Sequence, residues 1–152
     1  MNIFIDADAC PVKDETLKVA ARYQLPVKIV SNGGMRPSRD PMVETIAVAA
    51  GADAADDWIA ERCAPGDVVI TADIPLASRI LEAGGSPLGP TGKVFTQETI
   101  GMALAMRDLK QHLRETTNGQ TYNRGFEAKD RSNFLQALDR LVVQQLNRER
   151  QS

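Results

Sequence analysis

Short, nearly unbroken apolar runs recur along the first half of the chain, and residues at helical spacing fill the intervals between them. The runs are Asn2 to Asp6, Leu25 to Val30, Met42 to Val48 and Val68 to Thr71. A strand buried on both faces reads as such a run, and strands alternating with helices build a parallel sheet covered on both sides. Met42 to Val48 is the ambiguous member. Its alanines favour helix, but Val43, Thr45, Ile46 and Val48 favour strand, and it is read as strand.

Helices are expected over Val12 to Tyr23, Asp53 to Cys63, Pro75 to Ala83, Gln97 to Arg114 and Lys129 to Leu146. Val94-Phe95 reads as a further short strand and Thr116 to Gly125 as a polar loop. In the first helix Leu17, Ala20 and Ala21 form the inward stripe, while Lys13, Asp14, Glu15, Lys18 and Arg22 point outward. In the last, Phe134, Leu135, Leu138, Leu141, Val142 and Leu146 form the buried stripe. At 152 residues the chain has the size of one domain, so the expectation is a single α/β unit, a three-layer αβα sandwich with a mostly parallel sheet and a helical carboxyl-terminal region.

In open parallel sheets the functional crevice lies beyond the carboxyl ends of the strands, which makes position along a strand informative. Asp6 and Asp8 follow the first strand, Asp73 follows the strand ending at Thr71, and Asp56 and Asp57 open the helix before it. If the first and fourth runs are neighbours, these acids gather on one rim. Packed carboxylates repel, and Mg²⁺ or Mn²⁺ relieves that repulsion with oxygen ligands and water. Asp6, Asp8, Asp56 and Asp73 are therefore the candidate metal ligands and catalytic residues. Each also has a structural reading: Asp8 caps a helix entered through Pro11, Asp73 caps one entered through Pro75, and Asp56 satisfies a helix start.

Ser31 and Asn32, ahead of Gly33-Gly34, offer hydroxyl, amide and backbone donors to a phosphate on the same rim, and Lys13 and Thr71 are placed to join them. An ordinary polar loop and a solvated lysine are the alternatives. Cys10 reads as packing under the Pro11 turn, since no histidine is near in sequence to activate it. Trp58 and Ile59 read as packing of their helix on the sheet.

The net charge of −2 argues against bulk electrostatic capture of nucleic acid. A local basic stretch remains, with Arg107, Lys110, Arg114, Arg124, Lys129, Arg131, Arg140, Arg148 and Arg150 concentrated in the carboxyl-terminal third; it reads either as a solvated helix face or as a contact surface. Two distant cysteines, Cys10 and Cys63, and the single histidine, His112, cannot make a tetrahedral zinc site without carboxylates, and no CxxC spacing occurs, so a bound metal is expected to be a hard ion. No signal-like segment and no long apolar run occur, and a reduced cytoplasm is the expected compartment, with no membrane contact.

Four segments, Ile-Phe-Ile-Asp6-Ala-Asp8-Ala-Cys10-Pro11-Val-Lys13, Asp53-Ala-Ala-Asp56-Asp-Trp-Ile59, Gly66-Asp-Val-Val-Ile-Thr71-Ala-Asp73-Ile-Pro75-Leu-Ala77 and Lys129-Asp130-Arg131-Ser-Asn-Phe134, resemble the bacterial YaiI/YqxD family in the family's order. The strand-end aspartates in turn resemble those of PIN-like and NYN nucleases, which use acidic clusters with Mg²⁺ or Mn²⁺ to cut RNA. The resemblance implies a PIN-like domain and metal-dependent phosphodiester hydrolysis, with RNA as the partner. Lys13, Ser31, Asn32, Thr71 and Arg131 are then the substrate-binding candidates. Two other functions fit parts of the pattern. Asp6-Ala-Asp8 suits a haloacid-dehalogenase-type phosphatase, although Asp56 and Asp57 precede Thr71 where that class has its acidic pair last. A non-catalytic module binding RNA, nucleotide or protein in the same crevice is the other.

Overall fold

The computed structural model describes residues 1–7, 12–31, 40–48, 54–102, 105 and 128–151. Within them β1 (Ile3–Asp6), α1 (Lys13–Tyr23), β2 (Val27–Ser31), β3 (Val43–Ala47), α2 (Ala54–Arg62), β4 (Val68–Ile70), α3 (Ile74–Glu82) and β5 (Ser86–Leu88) follow one another. Residues 97–102 are helical and open α4. A long helix, α5 (Ala128–Gln151), ends the chain. The five strands form one sheet in the order β3-β2-β1-β4-β5, and each neighbouring pair is parallel. Ile3 stands opposite both Val27 and Val68, so the strand ends are level and their carboxyl ends make a common rim.

Successive side chains on a strand point to opposite faces, and here both faces are dry. Ile3, Ile5, Val27, Ile29, Val68 and Ile70 pack on one side against α1 and α5, with Val19, Phe134, Leu138 and Val142. Phe4, Val30 and Val69 pack on the other against α2 and α3, with Ile59, Leu76 and Ile80. The architecture is thus an αβα sandwich, as the apolar runs imply. Trp58 closes the second face edge-on to Phe4, with ring centroids 6.2 Å apart, and carries the Arg62 guanidinium over its ring at 4.2 Å.

α1 and α5 run in the same direction. Arg131 Nη1 meets Glu15 Oε1 at 2.8 Å, and one turn pair further along the Tyr23 hydroxyl donates to Asp139 Oδ1 at 2.7 Å, both across a separation of 116 residues. Because α1 starts at the carboxyl rim, α5 also starts there and descends to the opposite edge, where Glu149 lies 3.5 Å from the Met1 α-ammonium. Gly92, at φ +92, lets the 89–92 turn approach α5: a Cβ there would lie 2.7 Å from the Asn133 carbonyl oxygen.

Several expectations are corrected. Ser86–Leu88 is a strand although Pro87 hides it in the sequence; its place at the sheet edge is where a proline is tolerated. Val94 makes only an isolated antiparallel bridge to Leu88 instead of a strand with Phe95. Ala21 is exposed, and Thr16 and Val19 are buried in its place, Val19 in the cluster that holds Phe134, Leu138 and Val142 of α5. Glu15 points inward to Arg131, not into solvent. α5 runs beyond Leu146, and Leu135 and Leu146 are only half-buried while Gln145 is buried, donating from Nε2 to Ser86 Oγ at 3.1 Å. Asp8, Cys10, Pro11, Asn32, His112, the far part of the Gln97 to Arg114 helix and the Thr116 to Gly125 loop lie outside the described residues. No described helix is long and apolar enough to cross a membrane.

Candidate active site at the carboxyl rim

The chain leaves β1 on one side to make β2 and β3, then crosses to the other side to make β4 and β5. The sheet therefore changes winding direction between β1 and β4, and the crevice of a doubly wound sheet opens at the carboxyl ends of those two strands. Asp6 ends β1 at that point, buried with 5% of its surface exposed. An aspartate there costs folding energy unless its oxygens are hydrogen-bonded.

Thr71, fully buried just past β4, supplies one bond. Its hydroxyl donates to Asp6 Oδ2 at 3.1 Å and accepts the Asp73 backbone N–H at 3.0 Å. The hydroxyl has one proton, and the incoming Asp73 N–H leaves that proton for Asp6. Asp73 in turn caps α3: its Oδ1 accepts from the Leu76 N–H at 2.8 Å, with Pro75 at the first turn. Asp6, Thr71 and Asp73 thus form one continuous chain of contacts across the β1–β4 step.

Ser31 ends β2 and is buried, one residue beyond Val30, the β-partner of Asp6. Asp56 lies in the first turn of α2 and Lys13 opens α1, both half-buried. Since α1, α2 and α3 each follow a parallel strand, all three present their positive dipole ends to the rim, which favours anionic side chains and phosphate there. Asp57 faces away from this group and meets Arg79 at 2.7 Å, an exposed pair of little energetic weight.

Arg131 reaches the neighbourhood of the rim from the start of α5 and pairs with Glu15. Burial works to raise the Glu15 carboxyl, but hydrogen bonds from Arg131 and from its own backbone, with the charges of Arg131 and Lys18, outweigh burial and hold it below the usual carboxylate range. Its Oε2 is buried with no hydrogen-bond partner among the described residues. Glu15 carries no motif in the sequence; only the position of α5 gives it this setting. Asp67 is the converse case, an acid beside a strand that belongs to the opposite edge. It accepts from the Asn2 and Ala64 N–H groups, both at 2.9 Å, and ties β1 to the α2–β4 turn.

Among the described residues, no group of three or more His, Cys, Asp or Glu could hold a metal ion. Among the described residues the acids at the rim offer oxygen donors, and Asp8 and Cys10 lie outside the described residues.

The family model described as "Uncharacterized BCR, YaiI/YqxD family" matches residues 4–144. The chain belongs to the YaiI/YqxD family. A UPF0178 protein of Mesorhizobium japonicum is 61% identical to it over 141 residues, covering 93% of this chain and 91% of the relative. A UPF0178 protein of Rhizobium meliloti is 60% identical over 139 residues, covering 91% and 95%. A UPF0178 protein of Caulobacter vibrioides is 57% identical over 145 residues, covering 93% of each. No solved structure matches. The YaiI/YqxD match begins within β1, two residues before Asp6, and ends within α5, so it takes in the sheet except Ile3, and the rim.

Proposed function

We propose that this YaiI/YqxD chain is a metal-dependent phosphodiesterase that cleaves RNA at the carboxyl rim. The observation that carries the reading is Asp6: a buried carboxylate at the winding switch of a parallel sheet, oriented by a threonine hydroxyl, on the rim where three helices begin.

The residues fit a hard divalent cation. Mg²⁺ binds through one or two carboxylates and keeps several waters, so the lack of a three-acid group among the described residues is compatible with such an ion. Asp6 would hold it together with Asp8 or the outer oxygen of Asp73, and Asp56, in the first turn of α2, would act through water. When bound, Mg²⁺ or Mn²⁺ supplies an activated water and neutralises charge on the phosphoryl oxygens.

The chain's own residues do the rest. Thr71 fixes the rotation of the Asp6 carboxylate. Lys13, Ser31 and Asn32 bind and orient the phosphate, helped by the amino-terminal dipoles of α1 and α3. Arg131, paired with Glu15, sets the start of α5 beside the entrance and meets the incoming chain of the substrate.

The test is cleavage of a single-stranded RNA with Mg²⁺ or Mn²⁺ by the parent chain and by Asp6→Asn. Cleavage by the parent that falls by at least about 100-fold in the variant supports the reading. Equal cleavage by both, or none by the parent with either ion, rejects it.

A further inference from the structure

α5 segregates its charges. Each of its three acids has a partner or is buried: Asp130 is 3% exposed, Asp139 accepts from both Tyr23 and Arg22, and the half-exposed Glu149 lies 3.5 Å from the Met1 α-ammonium. Arg140 and Arg148, by contrast, are exposed and make no ion pair or hydrogen bond among the described residues. The exposed amides Asn133, Gln136, Gln144 and Asn147 share one side of the helix with the two arginines, positions 133, 136, 140, 144 and 148 following at three- or four-residue steps, and Val143 is exposed at the edge of that side. The opposite side carries Phe134, Leu138 and Val142 into the core.

We propose that this outward face of α5 is a docking track for the sugar–phosphate backbone of a single-stranded RNA. The choice of RNA rests on the phosphodiesterase reading above; the surface itself rests on the charge segregation. Arg140 and Arg148 are separated by about 12 Å along the axis, since an α-helix rises 1.5 Å per residue. A helix whose carboxylates already have partners keeps a positive face at Arg140 and Arg148 although the whole chain carries −2, and that face attracts a polyanion.

The amides add neutral donors suited to phosphate and sugar oxygens. No aromatic side chain stands among the exposed positions of α5, so the face lacks the stacking platform that grips bases. Contact is therefore to the backbone and independent of sequence. Direction matters too. α5 begins at the carboxyl rim, next to Glu15, and descends away from it, so a strand whose scissile phosphate sits at Asp6 has its flanking nucleotides within reach of the track.

The experiment uses the full chain in EDTA, where cleavage is suppressed, and a fluorescent uridine dodecamer, with affinity read by anisotropy over a range of salt. The double variant Arg140→Gln/Arg148→Gln removes two charges while keeping side chains that favour helix. Each phosphate contact on a single strand contributes about 0.7 to the slope of log K against log salt, so the slope is expected to fall by about 1.4 and affinity to weaken about tenfold at low salt. An unchanged slope, or no binding by the parent, overturns the track. The two proposals fail separately. If no metal supports cleavage but the variant still loses its slope, the phosphodiesterase reading falls and the track stands. If cleavage of a dinucleotide depends on Asp6 but the slope is unchanged, the reverse holds.

Discussion

Thr71 and Asp6 lie 65 residues apart in sequence and meet across the β1–β4 step in a buried 3.1 Å hydrogen bond, with the threonine as donor. Replacing Thr71 by Val keeps the shape and leaves Asp6 Oδ2 without that proton. Stability is expected to fall by about 0.5–1.5 kcal/mol in denaturant melts, the usual net cost of a lost buried hydrogen bond. Metal affinity, read by calorimetric titration, is expected to fall about 10–100-fold, as for other residues that orient a ligand. Thr71→Ser is expected to restore both. If Val binds metal as the parent does, Thr71 serves packing alone.

Asp73 has two separable properties, its cap and its charge. Asp73→Ala is expected to cost about 1 kcal/mol by releasing the Leu76 N–H, whereas Asp73→Asn keeps a capping oxygen and stays near parent stability. Mg²⁺ or Mn²⁺ is expected to raise the melting temperature of the parent, because an ion that binds only the folded state stabilises it. The Asp6→Asn/Asp73→Asn double variant is expected to lose that rise. A rise that survives in the double variant puts the metal elsewhere.

Alkaline stability is set away from the rim. Burial, with the nearby Asp67 charge, pushes the Cys63 thiol up to about 11, from 9.0 in the free side chain. A group whose pKa is raised on folding contributes stability that is complete below its unfolded value and is lost as pH climbs to the folded one. Melts are therefore expected to decline from about pH 9 to about pH 11. The Tyr23 phenol, raised by its hydrogen bond to Asp139, acts with the same sign at higher pH. Cys63→Ala is expected to flatten the lower part of the decline and Tyr23→Phe the upper part. A decline untouched by either variant assigns it to other groups.

Acid acts through Glu15. Its carboxyl is held below the ordinary value, so its contribution is complete above the unfolded pKa and lost as pH falls through the folded one. Arg131→Gln is expected to bring the acid transition to higher pH, followed by circular dichroism, since burial of Glu15 would then be opposed only by its backbone hydrogen bond and the Lys18 charge. An acid midpoint that does not move separates Arg131 from the stability of the α1–α5 contact.

Asp67 provides a control remote from the rim. Asp67→Ala is expected to destabilise by about 1–3 kcal/mol, because two backbone N–H groups lose their acceptor. The metal-dependent rise in melting temperature is expected to stay as in the parent. Loss of that rise would show that fold damage alone abolishes it.

The sequence by itself determined the layers and the rim. Runs such as Ile3-Phe4-Ile5 and Val68-Val69-Ile70 are apolar on both faces, which only a covered parallel strand requires, and a parallel strand puts whatever follows it, Asp6 or Thr71 to Asp73, at the carboxyl edge. The tertiary structure decided what each acid does there. Asp6 and Asp73 look alike in sequence, yet one is buried at the β1–β4 step and the other caps α3; Asp67, equally close to a strand, braces the opposite edge. Glu15 was placed by α5, which arrives more than a hundred residues later and pairs it with Arg131. Local pattern fixes period and polarity because those depend on neighbours within a few residues. Strand order and helix docking depend on distant partners, and the burial, hydrogen bonds and charge pairing of a site follow from those partners alone.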